Sequence, residues 1–378
     1  MSRYVVTFGV ALVLVAAACG GSSTDVNDGS IQSTTTVPAD IGTTIVSPAD
    51  DPTTAESTTT TMRRDTTTTT GVATSGEIKA GAVGRIGDWE IAVVAYEPDG
   101  TQSVLDENQF NDPPDEGSQF AIVTLAASYV GQGSSTLFEG VTLKAVGSSA
   151  VAYDFDDTCG VIPNELRSFR EVFTGGVVVG DQCWAVSGED ATTLIVLADE
   201  GFGFSDDRLF LMLPARGSIS EPTFSPAPIL EAGASGTRGN PLPLGDTTEL
   251  NGWEVSVLSS TADATDIVLR ENQFNDPPTA GRQFFIVDVS ATYLGSGSDT
   301  AFAGLAFSAV GESSVAYDLE DTCGVIPDEF DAFNEVFSGG TITGNVCWSV
   351  RSADVQSLVL ILDEGFGFDG ERFFLALS

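Results

Sequence analysis

An eight-residue segment rich in side-chain oxygens occurs twice in the chain, with the sequence Glu-Asn-Gln-Phe-Asn-Asp-Pro-Pro, at Glu107–Pro114 and at Glu271–Pro278. We call it the octapeptide. Its amide and carboxylate oxygens could bind a ligand or calcium. The candidate binding residues are Asn108, Asn111, Asp112, Asn272, Asn275 and Asp276. Calcium takes about six to eight oxygens and no D-x-D-x-D-G loop is present, which disfavours a calcium site.

The octapeptide also fits a structural loop. Its paired prolines impose an extended, non-helical path. Asn111 and Asp112 can bond to the backbone of their own turn. Phe110 and Phe274 would then pack down and hold the two loops against the body of the protein. Both interpretations remain open from the sequence.

Histidine is absent from the chain, and this absence limits the catalysis that it could perform. No Ser-His-Asp or Cys-His nucleophile can form, and the commonest general base and zinc ligand is missing. Asp199 and Glu200 are neighbours on a predicted strand, so their carboxylates should point to opposite faces. Gly201 and Gly203 belong to a predicted hairpin, since no phosphate-loop spacing is present. We therefore predict no enzymatic activity and no cofactor, with a carboxylate-based envelope hydrolase as an alternative.

The charge balance excludes another class of partner. The chain has 54 acidic and 15 basic residues, a formal net charge of −39. So much negative charge opposes attraction to nucleic acid phosphates. We predict no nucleic acid partner.

The first 18 residues have the form of an export signal. Arg3 precedes an apolar run from Tyr4 to Ala18 that is too short to span a bilayer, and Cys19 follows. The Ala-Ala-Ala-Cys end resembles a bacterial lipobox, which implies lipidation of Cys19. Ordinary cleavage that leaves a free thiol is the alternative. Lipidation would explain the odd fifth cysteine and place the protein on the outer face of the cytoplasmic membrane.

Residues 19–78 are predicted to form a disordered stalk. Sixteen threonines lie between Thr34 and Thr70, and large apolar residues are few. Such a segment cannot bury enough surface to offset its chain entropy.

The remainder of the chain is a duplication. A shift of 164 positions superimposes Trp89 on Trp253 and Cys159 on Cys323 without a gap to the carboxyl end. A period of this length indicates a duplicated domain. We predict one domain over residues 79–214, a linker rich in Pro, Gly and Ser over 215–243, and a second domain over 244–378.

Each copy has the alternation typical of half-buried strands. Ala121, Val123, Leu125, Ala127 and Tyr129 fall on one face of one predicted strand. Helix signals are few, with one turn expected within Pro163–Phe173. The other predicted strands of the first copy are the segment from Trp89, Phe138–Val146, Val151–Phe155, Val177–Val186, Thr193–Leu197 and Arg208–Leu213. About seven short strands in each copy predict an all-β fold of two tandem immunoglobulin-like sandwiches.

Four cysteines form two matched pairs, Cys159 with Cys183 and Cys323 with Cys347, which we predict to be disulfides in an exported chain. Trp184 has the opposite strand parity to Cys183. If the tryptophan points into the core, each bridge must tie a surface loop to a strand instead of joining the two sheets through the core.

Several motifs together resemble a known family: Trp89-Glu90, GxQFxIVxxxAxYxG over Gly117–Gly131, CGVIP, EVFxGG over Glu171–Gly176, and CW. In this order they look like the bacterial exported domain called domain of unknown function 4352, common in actinobacterial lipoproteins. The resemblance implies an immunoglobulin-like sandwich and an exported location. It carries no catalytic residues to transfer, because the family has no established activity.

These features predict a lipid-anchored, non-enzymatic interaction protein that displays two domains at the cell surface. Its partner would be an envelope or extracellular protein or a glycan. An envelope-structural spacer without a specific ligand is the alternative within this class.

Overall fold

The computed structural model describes residues 72–201, 207–228, 230, 232–365 and 370–378. The expected signal peptide, Cys19, nearly all of the stalk and Gly203 lie outside the described residues. All described residues belong to one compact unit. Below, the first and second repeats denote residues 76–214 and 240–378, which correspond by the shift of 164.

The first repeat is built mainly from strands. They are β1 (Gly76–Ile78), β2 (Gly84–Ile86), β3 (Trp89–Glu97), β4 (Ser118–Tyr129), β5 (Ser134–Thr136), β6 (Val141–Val146), β7 (Ala152–Tyr153), β8 (Glu171–Phe173), β9 (Val177–Ser187), β10 (Ile195–Glu200) and β11 (Arg208–Met212), followed by β12 (Gly217–Ser218). Helix α1 covers Thr101–Glu107, α2 covers Leu137–Gly140, and a single 3₁₀ turn covers Asp190–Thr192.

These strands form two sheets that share one core. One sheet has the order β12-β3-β4-β9 with β2 also paired to β3, and the other has the order β1-β11-β10-β6-β7. A small ribbon joins β5 and β8. Strand β1 pairs with β11 in parallel, whereas the other described pairs of that sheet are antiparallel. Side chains from both sheets meet in a single buried cluster, so the repeat is a β-sandwich.

The second repeat reproduces this arrangement. Its strands are β13 (Thr247–Leu250), β14 (Trp253–Thr261), β15 (Arg282–Tyr293), β16 (Ser298–Thr300), β17 (Leu305–Val310), β18 (Ala316–Tyr317), β19 (Glu335–Phe337), β20 (Thr341–Arg351), β21 (Val359–Glu364) and β22 (Phe373–Ala376). Helices α3 (Thr265–Glu271) and α4 (Ala301–Gly304) match α1 and α2, and 3₁₀ turns cover Leu319–Asp321 and Val355–Ser357. The sheet orders are β13-β14-β15-β20 and β18-β17-β21-β22.

The predicted core face of β4 is confirmed. Ala121, Val123, Leu125, Ala127 and Tyr129 are all buried in the first core. The residues of the second repeat that match them lie in a separate core cluster. Alternation along an extended backbone therefore places this face in each sandwich.

Two local predictions were wrong. The strand predicted over Phe138–Val146 begins at Val141, because Leu137–Gly140 form a helical turn. Thr136 accepts a hydrogen bond from the Glu139 backbone and the Glu139 carboxylate accepts one from Thr136, a capping box that favours the turn. The helical turn expected within 163–173 is also wrong, since the structure has non-helical turns, an isolated bridge at Glu165 and strand β8 there.

Both disulfides are present, and both lie outside the main cores. Cys159 bonds to Cys183 and Cys323 bonds to Cys347. Cys183 packs with Val104 of α1 and Phe120 of β4 in a small cluster on the outer face of the sheet. Trp184 faces the main core, so the prediction that the bridge ties a surface loop to a strand is confirmed.

A separate apolar cluster joins the two repeats. Phe173, at the end of β8, packs against Val310, Ala316, Ile361 and Phe374 on the outer face of the sheet that contains β17, β18, β21 and β22. Val172 forms an antiparallel bridge with Val315, and the Phe173 N–H donates to the Ser314 carbonyl at 2.8 Å. We call this contact the junction.

Polar contacts surround the junction. Arg372 forks onto Asp363 of its own repeat at 2.6 and 2.8 Å, and its Nη1 donates to Glu171 of the first repeat. Arg238 and Arg372 lie over the ring of Phe173 at 4.9 and 5.8 Å. Burial lowers the pKa of the Arg372 guanidinium, but its hydrogen bonds to Asp363 and Glu171 outweigh this effect and raise the pKa overall.

The connection between the repeats is attached to them at several described points. Strand β12 pairs with β3. The Ser225 backbone N–H and hydroxyl donate to the buried Glu90 carboxylate at 2.8 and 2.6 Å. Further along, Arg238 donates to the Gly311 carbonyl at 2.7 Å. The predicted linker therefore contacts both repeats.

Asp190 is a buried carboxylate that organises one end of the first sandwich. It is 1% exposed and accepts bonds from the Ser149 hydroxyl at 2.5 Å, the Tyr153 hydroxyl at 2.7 Å and the Ser148 hydroxyl at 3.0 Å. The Ser149 backbone N–H adds a fourth bond at 2.8 Å. The hydrogen bonds from Ser149 and Tyr153 are the main cause of a lowered pKa for Asp190, because they stabilise the ionised form.

We expect Asp190→Asn to lower the free energy of unfolding by about 2 kcal/mol at neutral pH, since the charge-assisted bonds are lost. Because the pKa is lower in the folded state, this contribution is present above the unfolded pKa of about 3.9 and is lost as the pH falls below it. Urea denaturation at pH 7 and at about pH 3 would measure the difference. Exposed Asp112→Asn is the control, and an Asp190→Asn effect that did not shrink in acid would contradict the argument.

Candidate functional site

Asn111 fastens the first octapeptide to the disulfide loop. Its amide nitrogen donates to the carbonyls of Val104 and Val161, each at 2.7 Å, and its oxygen accepts from the Val161 N–H at 3.0 Å. Asn275 makes the same three bonds, to Val268 and Val325. Since these bonds use both donors and one acceptor site of each amide, Asn111 and Asn275 serve as structural ties.

Most of the rest of the octapeptide is exposed, and Asn108, Pro114 and their counterparts are half-buried. The Asn108 and Asn272 oxygens accept from the backbone N–H two residues on, at 3.0 Å, and Asp112 and Asp276 face solvent. The expectation that the octapeptide phenylalanines pack down is wrong, because Phe110 and Phe274 are each 82% exposed. The side-chain hydrogen bonds of Asn111 already hold the loop, so packing of the Phe110 ring is not needed to hold it.

The carboxylates near the octapeptide also bond within their own turns. The Asp157 carboxylate accepts from the Asp154 N–H at 2.9 Å, and the Asp154 carboxylate accepts from the Asp156 N–H at 3.1 Å. Among the described residues, no group of three or more acidic or cysteine side chains is placed to hold a metal ion.

A cleft lies beside the junction, and sequence reasoning did not identify it. Its volume is about 700 Å³. Exposed Phe169 and Val179 form apolar parts of its wall. The charged residues that line it are Arg167, Arg170, Arg282, Arg351, Glu165 and Glu320. Four arginines and two glutamates reverse the charge balance of the chain as a whole.

Three of these arginines converge on one buried carboxylate. Asp321, with a side chain 3% exposed, lies 2.9 Å from Arg170, 2.5 Å from Arg282 and 3.8 Å from Arg167. Arg167 also lies 3.5 Å from Glu320. Because Arg167 and Arg170 belong to the first repeat and the acidic partners to the second, these pairs hold the two walls of the cleft together.

Two guanidinium groups retain unused donors. Arg170 is 7% exposed, yet its Nε has no hydrogen-bond partner, and its Nη2 meets Asp321 without hydrogen-bond geometry. The Arg351 side chain is exposed and has no ion pair among the described residues, although its backbone N–H donates to the Tyr317 hydroxyl oxygen at 3.2 Å. A buried donor without a partner is costly, so an acceptor that enters the cleft would relieve that cost.

The repeat alignment contains a signal for this cleft. Arg167, Arg170, Arg282 and Arg351 correspond to Asp331, Asn334, Ser118 and Ser187 in the other copy. None of the four arginines is repeated at the matching position of the other copy. All four line the same cleft beside the junction. A search for charge changes between the copies could have found the residues, but not their convergence.

Comparison with known proteins identifies no family for this chain. No protein-family model and no curated protein matches the chain. A solved structure of a conserved hypothetical protein from Bacillus anthracis aligns with 11% identity and a TM-score of 0.22, covering 35% of this chain and 94% of that chain. A similarity of this size carries no argument about fold or function. The resemblance to domain of unknown function 4352 therefore stays a prediction.

The described residues contain no helix of the length and apolar character needed to cross a bilayer.

Proposed function

We propose that this protein is an exported, non-enzymatic binding protein and that the cleft beside the junction receives an anionic group of its partner. The observation that supports this proposal is the concentration of four arginines, none of them duplicated, in one cleft of a chain with a net charge of −39. Arginine presents a rigid fork of donors that matches carboxylate and phosphate groups.

The lining of the cleft supports a carboxylate- or phosphate-bearing polymer of the envelope or the extracellular space as the partner. Phe169 and Val179 provide apolar contact beside the charged groups. Glu165 and Glu320 would disfavour a ligand with dense charge, since like charges at the rim repel it. A partner with isolated anionic groups on a less polar scaffold fits both features.

A variant that copies the first repeat tests the binding site. Arg351→Ser installs the residue found at the matching position, Ser187, on an exposed side chain, so folding should be preserved. We expect the full chain to bind an immobilised carboxylate-bearing glycan or a phosphate-bearing polymer, and Arg351→Ser to weaken that binding about tenfold.

The control is Arg270→Ser, which removes the same charge from an exposed position on α3 outside the cleft. Surface plasmon resonance with a neutral glycan as reference would measure both variants. Equal weakening by both variants would indicate non-specific charge attraction, and a failure of the full chain to bind either anionic polymer would contradict the proposal.

We further propose that Cys19 carries a lipid that holds the protein on the outer face of the cytoplasmic membrane. The lipobox-like end of the apolar run and the pairing of the other four cysteines support this placement. Cys19→Ser is expected to move the protein from the membrane fraction to the medium. Mass spectrometry of the fragment that begins at Cys19 is the direct check, and an unmodified thiol there would reject the lipid.

A further inference from the structure

The junction joins two different surfaces, one from each repeat. The first repeat contributes the end of β8, which we call the plug: Glu171, Val172 and Phe173. The second repeat contributes an outer sheet face, which we call the seat: Val310, Val315, Ala316, Ile361, Phe374 and Arg372. The contact is therefore heterologous, in the sense that the two partners use unlike surfaces.

Because the chain is a duplication, it carries a second plug and a second seat. The second plug is Glu335, Val336 and Phe337, identical in sequence to the first. The second seat lies on the first repeat and consists of Val146, Val151, Ala152, Leu197, Phe210 and Arg208. Five of its six residues are identical to their counterparts, and the sixth replaces isoleucine with leucine.

Both spare surfaces are partly open to solvent, although Leu197 of the seat and Val336 of the plug are each only 6% exposed. Phe337 is 65% exposed, whereas Phe173 in the junction is 5% exposed. Val151 is 64% exposed, whereas Val315 is 5% exposed. Ala152 is likewise exposed where Ala316 is buried. An exposed phenylalanine and a partly exposed apolar sheet face are each typical of an interaction site.

We propose that the spare plug of one chain docks on the spare seat of a second copy, so that chains associate head to tail through a contact that repeats the junction. The second copy is the favoured occupant because the counterparts of both spare surfaces are bound to each other within the chain.

Two polar contacts of the junction are repeated in the spare surfaces. Arg208 forks onto Asp199 at 2.5 and 2.8 Å, as Arg372 does onto Asp363. Glu335 accepts the Ser298 hydroxyl at 2.5 Å, as Glu171 accepts that of Ser134. In the docked pair, Arg208 would therefore donate to Glu335 as Arg372 donates to Glu171.

Three cations of the junction are missing from the spare surfaces. Arg167 and Arg170 become Asp331 and Asn334, and Arg238 becomes Thr74. Asp331 would face Asp156 and Asp157, which match the acidic partners of the arginines. Since like charges repel, the contact between chains must be weaker than the junction and must strengthen with ionic strength, which screens the repulsion.

A contact that is both weak and heterologous suits chains that are crowded side by side on a surface. A weak heterologous contact forms few complexes in dilute solution but many at high local concentration. Because a heterologous contact leaves one plug and one seat unused at the ends, it propagates into rows unless the geometry closes a ring.

Analytical ultracentrifugation of the full chain in detergent tests the proposal over a range of concentration and salt. We expect reversible association that increases with both. Phe337→Ala, or Ala152→Asp, should each lower the association constant at least about tenfold, while Phe110→Ala, which removes an equally exposed ring elsewhere, should not. The double variant Asp331→Arg/Asn334→Arg restores the cations of the first plug and should raise the constant at least about tenfold.

A mixing experiment distinguishes this specific contact from non-specific association. Phe337→Ala retains an intact seat, and Ala152→Asp retains an intact plug. Neither variant should associate alone. In the mixture, the plug of Ala152→Asp should bind the seat of Phe337→Ala, which gives heterodimers and no longer assemblies. If the wild type and the Asp331→Arg/Asn334→Arg variant both stay monomeric at every concentration and salt, the proposal is overturned. The same holds if the mixture fails to restore dimers.

Discussion

Phe173→Ala is expected to lower the free energy of unfolding by about 3–5 kcal/mol, whereas the matching change Phe337→Ala in the second repeat should alter it by less than about 0.5 kcal/mol. The two phenylalanines lie in identical three-residue strands, Glu-Val-Phe. Only Phe173 is buried, with the outer face of the second sandwich against its ring. The pair therefore isolates the effect of the junction from that of the local sequence.

The large effect of Phe173→Ala has three physical sources. The ring leaves a cavity among Val310, Ile361 and Phe374, and edge-to-face packing with Phe374 at 6.0 Å is lost. The guanidinium of Arg238, whose pKa is lowered by burial, loses the ring beneath it. A partly buried cation then lacks its favourable contact.

Calorimetry of the wild type and the two variants would measure this prediction. We expect the wild type to unfold in one cooperative transition, because the repeats share the junction, and Phe173→Ala to separate it into two. Unequal stabilities of the two sandwiches would explain the separation. Comparable losses in both variants would contradict a role for the junction.

Removal of the Cys159–Cys183 bridge by the double change to alanine is expected to cost about 3 kcal/mol. The bridge spans 24 positions and closes a loop whose backbone is otherwise irregular between β7 and β8. Without it the unfolded chain gains conformational freedom, and the cluster of Val104, Phe120 and Ile162 loses its buried sulfurs.

Removal of the bridge should also change hydrogen exchange in the loop that it closes. The Val161 N–H donates to Asn111, so hydrogen exchange at Val161 should accelerate strongly when the loop is released, together with exchange in α1. Exchange at Val325, in the intact second loop, serves as the internal control. Unchanged protection at Val161 would show that the Asn111 bonds hold the loop without the disulfide.

Most of the sandwich could be predicted from local alternation. The inward face of β4 and the outward direction of Cys183 both follow from the two-residue period of a strand, which requires no knowledge of distant residues. Helix α1 escaped prediction because only Val104 of its seven residues is buried, so no helical periodicity is visible.

The junction and its cleft could not be predicted in this way. Phe173 and Phe337 share the same local sequence but differ in burial, because their environment is set by the placement of one sandwich on the other. Arg167 and Arg282 are 115 positions apart in the chain, and only the tertiary structure brings both to Asp321. Identical local sequence thus does not determine an identical role.

The parallel pairing of β1 with β11 has a mechanical consequence. Gly76–Ile78 lie beside Leu209–Leu211 with both strands running in the same direction. A pull on the chain ahead of β1, opposed at the far end of β11, stretches these hydrogen bonds along the strands, so they must rupture together instead of opening one after another. Single-molecule force spectroscopy should find a distinct resistance peak that disappears when Glu77, the middle residue of β1, is replaced by proline, which is poorly tolerated inside a strand.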